Sequence, residues 1–132
     1  MSHILYLTLE EVLTLHTISI NKFGGSDGIR DVGLVESSIY RAQQTYGGED
    51  LYKTIWDKAA ALAHSISENQ PFLDGNKRTA ALSMMVFLDI NGYELDVEKM
   101  SVYQTMIKVA NREFSREQLA GWLEKHSKKK KK

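Results

Sequence analysis

Cysteine is absent from the 132 residues of this chain, which excludes disulfide bonds, thiolate catalysis and cysteine-ligated metal sites. A fold that needs no disulfide suits a reducing compartment, so a cytoplasmic location is expected. No segment approaches the roughly 18 uninterrupted apolar residues that cross a bilayer, and the first residues show no secretory signal. We therefore expect one domain that contacts no membrane.

A net charge is also absent, because 17 basic residues balance 17 acidic ones. Five of the basic residues form the terminal run Lys128–Lys132, and without them 12 basic residues face 17 acidic ones. A block of like charges repels itself and is typical of a disordered tail. We assign residues 1–126 to the domain and residues 127–132 to a basic, disordered tail. The acidic surplus of the domain argues against nucleic acid as the main partner.

Helical periodicity covers most of the chain, and strand-like alternation does not exceed a few residues. The first helix starts at a capping box, Thr8 to Glu11, and a second capping box at Ser115 starts the last helix. The predicted fold class is all-α, a helical bundle of about six helices. Their predicted ranges are 9–23, about 32–44, about 52–69, 76–91, 98–111 and from 115 onward.

Two of these helices have apolar patterns that bear on packing. The fourth helix is apolar nearly all round from Ala80 to Ile90, which predicts a helix buried centrally in the bundle. On the fifth helix, Met100, Tyr103, Ile107 and Ala110 recur at helical spacing and are expected to face the core.

His16 lies on the first predicted helix and His64 on the third. Neither has sequence neighbours that complete a triad or a metal site. We interpret His16 as structural and His64 as structural or exposed.

The turn from Pro71 to Asn76 joins two predicted helices and has the features of an anion site. The only proline ends the preceding helix, and Asp74-Gly75-Asn76 tolerates a left-handed turn before the fourth helix. Main-chain N–H groups at a helix start point outward where the macrodipole is positive, and Lys77 and Arg78 add two cations. Phosphate is the expected anion, with Asp74 holding a magnesium ion shared with it. In the alternative interpretation, Asp74 only caps the helix and both cations are solvated.

The segment Gln70-Pro-Phe-Leu-Asp-Gly-Asn-Lys-Arg resembles the signature loop of the Fic/Doc family, which runs His-x-Phe-x-Asp/Asn-Ala/Gly-Asn-Lys-Arg. The opening Leu-Tyr-Leu-Thr-Leu-Glu-Glu, the Phe23-Gly-Gly turn and the order of helices are also similar to the death-on-curing (Doc) branch. The resemblance implies a Fic-type bundle whose central helix follows the signature loop. It also shows a departure, since Gln70 stands where the family has its catalytic histidine.

The resemblance implies an activity. Members of the family transfer part of a nucleotide, with ATP as co-substrate and Mg²⁺, to a hydroxyl of a target protein. Most attach AMP, whereas the Doc toxin resembles a kinase that phosphorylates a translation elongation factor. This chain has Lys77 where AMP-transferring members have a second glycine, and Ala81 where they have a second arginine. Phosphate transfer by a toxin that a small antitoxin neutralises is therefore implied, with AMP transfer in second place.

Individual roles follow from the same resemblance. Gln70 takes the position of the base, Asp74 holds magnesium, and Phe72 anchors the loop in the core. Phosphates are expected to be bound, and their charge stabilised, by the Gly75 N–H, the Asn76 amide and the Lys77 and Arg78 side chains.

The glycine-rich stretch Gly24–Asp31 is similar to the flap that clamps the target segment in this family. Arg30 and Asp31 are accordingly expected to contribute to target docking.

Glutamine at position 70 changes the expected chemistry. An amide can orient a hydroxyl but cannot take up its proton near neutral pH, and a positioned base contributes about 10²–10⁴-fold in rate. Transfer is therefore expected to be impaired, unless Asp74 serves as the base, and the glutamine could also be an inactivating substitution introduced on purpose. A second function class remains open: a catalytically inactive Fic-fold protein that binds nucleotide, antitoxin or target. A nucleic-acid-binding bundle with a basic tail is the remotest alternative.

Overall fold

The computed structural model describes residues 3–131; Met1, Ser2 and Lys132, which the predicted domain and tail include, lie outside the described residues. Within them the chain forms six helices and two pairs of very short strands, which confirms the all-α fold class. The helices are α1 Leu9–Phe23, α2 Val32–Arg41, α3 Ile55–Asn69, α4 Asn76–Ile90, α5 Lys99–Ala110 and α6 Arg116–His126.

Capping side chains fix where most of the helices begin. Thr8 and Ser115 form the two predicted capping boxes, with Glu11 and Gln118 as their partners. The third helix begins at Ile55, three residues later than predicted, because Thr54 accepts from the N–H three positions on and caps it.

The short strands lie between the helices and in the predicted tail. Strands β1 (Thr45–Tyr46) and β2 (Glu49–Asp50) form an antiparallel hairpin, and β3 (Tyr93–Leu95) pairs antiparallel with β4 (Ser127–Lys129). The structure thus differs from the expectation of a disordered tail from residue 127. The physical reason is the main-chain pairing with β3, to which carboxylates of Glu94 and Asp96, 3.8 and 3.7 Å from the Lys128 ammonium, add a favourable charge.

Helix α4 is the centre of the bundle, as its all-round apolar pattern predicted. Its residues Ala80, Ala81, Met84 and Leu88 are fully buried, and it packs against α1, α3, α5 and β3. Alanines along α3 allow the close approach of α4. The turn that precedes α4 is therefore attached to a rigid element.

The predicted core face of α5 is wrong at two of its four positions, Met100 and Ile107. Val102, Met106 and Val109 are buried, whereas Met100 and Ile107 are 61% and 45% exposed. Both rows recur at helical spacing and both are apolar, so periodicity alone could not choose between them. Met100 and Ile107 instead lie at the surface, whereas Tyr103 of the same row is half-buried and packs against the core.

Candidate active site

The signature loop, residues Gln70–Gly75, begins at a residue in the left-handed backbone conformation that ends α3. Two hydrogen bonds from the Asn76 side chain hold the loop closed. Gln70 has φ 46° and ψ 60°, and its N–H still bonds to the helix. The Asn76 amide accepts from the Phe72 N–H at 3.0 Å and donates to the Phe72 carbonyl at 2.9 Å. Asn76 thus holds the loop together, and Phe72 is 1% exposed, which confirms its role as an anchor in the core.

His16 of α1 supports this loop from below. Its ring stacks on the Phe72 ring, with centroids 3.8 Å apart and planes 7° from parallel. Its Nε2 donates to the Asp74 carbonyl at 2.8 Å, and its Nδ1 lies 3.6 Å from Asp27 Oδ1. The sequence placed His16 correctly in the interior but missed its contact with the loop, because that partner lies 58 residues further along the chain.

The flap, Gly24–Asp31, lies against the signature loop through main-chain hydrogen bonds. The N–H groups of Arg30 and Asp31 both donate to the Pro71 carbonyl, at 2.8 and 3.0 Å. In return the Leu73 N–H donates to the Gly28 carbonyl at 3.0 Å. The flap and the loop therefore form one antiparallel unit rather than two independent loops.

The two residues expected to dock the target have structural partners here. Arg30 Nε donates to the Gln70 carbonyl at 2.8 Å, and its guanidinium also bonds the Asn69 carbonyl. A cation at these carbonyls neutralises the negative end of α3. Asp31 caps α2 by accepting from the Leu34 N–H at 3.3 Å. Their contribution to target docking stays a prediction.

Asp74 presents an exposed carboxylate between the flap and α4. Its Oδ1 accepts from the Gly75 N–H at 2.9 Å, and its Oδ2 accepts from the Ser26 N–H at 3.3 Å. It is not the helix cap of the alternative interpretation, because the capping position belongs to Gly75 at φ 78° and α4 has no side-chain cap. By contrast α1, α2, α3 and α6 each have one. The first N–H groups of α4 are thus left without an intrahelical partner.

A cavity of about 150 Å³ opens in front of this uncapped helix start. It is lined by Asp74, Gly75, Asn76, Lys77, Arg78, Tyr103 and Ile107. Five of the predicted site residues therefore come together, while Gln70, Arg30 and Asp31 do not line the cavity. Tyr103 and Ile107 were missed as site residues because their helical spacing indicated core positions.

The two cations at the helix start differ in their surroundings. Lys77 is exposed, whereas Arg78 is half-buried, donates to the Gly24 carbonyl at 3.3 Å and lies 5.3 Å from the Phe23 ring centre. The predicted phosphate ligands also have partners within the protein, because the Gly75 N–H is bonded to Asp74 and the Asn76 amide to Phe72. The cavity accordingly offers an exposed ammonium and the next N–H groups of α4 to an anion.

Magnesium fits the carboxylate that the cavity presents. No group of three or more ligating side chains (His, Cys, Asp or Glu) lies together among residues 3–131. Mg²⁺ is commonly held by one or two carboxylates together with substrate phosphates and water, so one exposed carboxylate suffices when phosphates are present. Asp74 is the residue that would hold it.

His64 lies apart from the signature loop, half-buried on α3. Burial lowers the pKa of its imidazole, Glu68 raises it, and Arg41 and Arg116 lower it further. Arg41 ends α2 and Arg116 begins α6, so these surroundings differ from those of the cavity.

Comparisons with known proteins agree on one family. The Fic/DOC family profile matches residues 6–88, which include the flap, the signature loop and most of α4. Toxin Doc of Mycolicibacterium smegmatis (strain ATCC 700084 / mc(2)155) is 41% identical over 120 residues, covering 89% of this chain and 90% of that protein. Protein kinase doc of Escherichia phage P1 is 31% identical over 90 residues, covering 68% of this chain and 71% of that protein. None of the helices in residues 3–131 is long and apolar enough to span a membrane.

Proposed function

The chain belongs to the Fic/Doc family, and on that premise we propose that it is a Doc-like toxin with kinase activity. It transfers the γ-phosphate of ATP to a hydroxyl of a target protein. The names of the two relatives, a toxin and a protein kinase, support this class of activity. The observation that carries the proposal is the cavity in which an uncapped helix start, two cations and one carboxylate meet.

Phosphoryl transfer needs positioning and charge stabilisation more than covalent help from the protein. The free N–H groups at the start of α4 and the Lys77 ammonium bind the phosphate oxygens. Arg78, fixed by Gly24 and the Phe23 ring, adds positive charge at the side of the cavity. Asp74 would hold Mg²⁺, which supplies charge neutralisation between the phosphates.

Two positions favour transfer of phosphate over transfer of AMP. The Lys77 side chain occupies the anion cavity where AMP-transferring members have glycine, so it crowds the pose that brings the α-phosphate there. Ala81 is fully buried on α4 and provides no guanidinium for a terminal phosphate. AMP transfer is the second choice.

Gln70 impairs the reaction. Its amide cannot accept a proton, whereas a histidine at the same exposed position could. Losing a general base costs about 10²–10⁴-fold in rate. Asp74 is the remaining group that could take the proton, since its carboxylate is exposed beside the cavity.

The biological setting follows the Doc branch. The target is a protein such as a translation elongation factor, and a small antitoxin protein neutralises the toxin in the cytoplasm. The relative named Toxin Doc supports an antitoxin partner.

The same glutamine favours one alternative: a catalytically inactive Fic-fold protein that binds nucleotide, antitoxin or target. In that case the cavity keeps its affinity for phosphates but the hydroxyl is never deprotonated. Nucleotide binding without transfer distinguishes this alternative from the enzyme.

Transfer from ATP labelled at the γ or the α position tests the proposal, with cell extract or elongation factor as acceptor. The chain as written is compared with Gln70→His, and Asp74→Ala in the histidine background serves as the inactive control. We expect γ-label in the target with the histidine variant, and about 10²–10⁴-fold less with glutamine.

The outcomes separate the alternatives. Label from the α position would indicate AMP transfer, and equal labelling by both versions would contradict the role of position 70. ATP binding without transfer by either version would support the inactive binding protein.

A further inference from the structure

An apolar row on α5 shares the cavity with the phosphate-binding residues. Met100 and Ile107 lie exposed at the surface and Tyr103 between them is half-buried, where the pattern predicted core positions. Tyr103 and Ile107 line the cavity together with Asp74–Arg78, so one wall is charged and the other is apolar.

Tyr103 is held in place by a second aromatic ring. Its ring meets the Phe23 ring edge-on, with centroids 5.8 Å apart and an angle of 79° between the planes. Arg78 lies near the same Phe23 ring, so the aromatic pair and the cation form one continuous surface. Burial raises the pKa of the Tyr103 hydroxyl, which Arg78 partly opposes, and the hydroxyl therefore stays a donor at neutral pH.

We infer that Tyr103 and Ile107 form the subsite for the nucleobase of the nucleoside triphosphate whose phosphates bind at Lys77 and the start of α4. The inference rests on the function proposed above. A nucleotide is a charged chain attached to a flat apolar ring, and the cavity offers those two surfaces side by side.

Stacking on an aromatic side chain contributes substantially to binding a base and depends little on which base it is. We therefore expect Tyr103 to add affinity for nucleotides but none for a phosphate chain alone. Inorganic tripolyphosphate is the phosphate-only probe that separates the two contributions.

The experiment measures the affinities of ATP and inorganic tripolyphosphate by calorimetry in the presence of Mg²⁺. The variants are Tyr103→Ala, Tyr103→Phe, and Ile107→Ser at a half-exposed position where folding is not at risk. Tyr40→Ala, at a tyrosine of α2 that is 65% exposed and does not line the cavity, is the matched control.

We expect Tyr103→Ala to weaken ATP binding about 10-fold and Ile107→Ser to weaken it by a smaller factor. Tyr103→Phe and Tyr40→Ala should bind ATP as the unchanged chain does. Tripolyphosphate should bind all variants equally.

Three results would overturn the inference. If Tyr103→Ala weakens the binding of ATP and of tripolyphosphate by the same factor, Tyr103 supports the phosphate-binding residues rather than the base. Unchanged ATP affinity in both Tyr103→Ala and Ile107→Ser would assign the apolar row to a protein partner instead. An unchanged chain that binds tripolyphosphate as tightly as ATP has no base subsite, whereas one that binds neither contradicts the proposed function itself.

Discussion

Three groups meet at the His16 imidazole: the Phe72 ring, the Asp74 carbonyl and the Asp27 carboxylate. The first two belong to the signature loop and the third to the flap. A single buried side chain therefore fixes where the signature loop lies on α1, and with it the position of Asp74, the residue proposed to hold magnesium. His16 is a positioning residue, because its Nε2 is already bonded to the protein.

We predict that His16→Ala lowers the free energy of unfolding by about 2–4 kcal/mol, because it removes a buried ring and leaves the Asp74 carbonyl without its donor. His16→Phe keeps the stacked ring and should lose only about 1–2 kcal/mol. Urea unfolding followed by circular dichroism measures both. The control is His64→Ala, at a half-buried histidine apart from the loop, for which we expect a loss under about 1 kcal/mol. Equal losses at both histidines would contradict the special role of His16.

The sequence brought together the consecutive residues that line the cavity and missed those that only the fold brings near. Asp74 to Arg78 follow one another, and their chemistry is visible in a short window. The contacts of His16 with Asp74, and of Tyr103 with the cavity, depend on how α1 and α5 pack. No local pattern encodes that packing.

At the scale of elements, the flap and the signature loop form one unit, and a glycine in the flap allows the two segments to approach each other closely. Gly25 has φ +117°, and a Cβ at this position would lie 2.5 Å from Asp74 Oδ2. The neighbouring Gly24 has φ +86° and no atom within 4 Å of its virtual Cβ. Both glycines thus have a positive φ that other residues rarely adopt. Of the two, only Gly25 is also required for the close approach of the flap to Asp74.

This pair gives a matched test. Gly24→Ala and Gly25→Ala should each cost about 1 kcal/mol of stability, since both force alanine to a positive φ. Only Gly25→Ala should also weaken Mg²⁺-dependent ATP binding, by about 10-fold, because it displaces either Asp74 or the Ser26 N–H that supports it. Calorimetry with and without Mg²⁺ measures this difference. If both variants bind ATP equally well, the approach of the flap to Asp74 has no functional role.

Helix positions were predictable from caps, whereas helix orientation was not always so. Thr8 and Ser115 each begin a capping box that predicts the start of a helix, and the structure confirms both. The fifth helix carries two apolar rows, one with Val102 and Met106 and one with Met100 and Ile107. The choice between them is made by the surface that α4 presents, which is a tertiary property.

At the scale of the whole molecule, β4 joins the end of the chain to the acidic surface around β3. Besides the contacts of Lys128, the Lys130 ammonium lies 2.8 Å from the Asp89 carboxylate at the end of α4. The main chain contributes too, since the Lys130 N–H donates to the Gly92 carbonyl at 3.0 Å. Exposed ion pairs add little stability, so the main-chain pairing is the larger part.

Ending the chain at His126 tests whether the tail belongs to the domain. We predict a loss of about 1–2 kcal/mol in the free energy of unfolding, because β3 loses its hydrogen-bonded partner. Replacing Lys128 and Lys130 by alanine, which keeps the strand, should cost less than about 1 kcal/mol. Urea unfolding of the three proteins measures this order. An unchanged stability after truncation would support the disordered tail expected from the sequence.

The left-handed backbone of Gln70 has a consequence for how this chain can evolve. Histidine is among the residues that tolerate that conformation best, and the side chain at position 70 is exposed. Glutamine and histidine codons differ only at their third base. We therefore expect the glutamine and histidine versions to melt at the same temperature, and a histidine version that melts several degrees lower would contradict this. If position 70 controls the transfer proposed above, a lineage carrying this gene can lose or regain that activity through one nucleotide change, with no selection on folding to oppose either step.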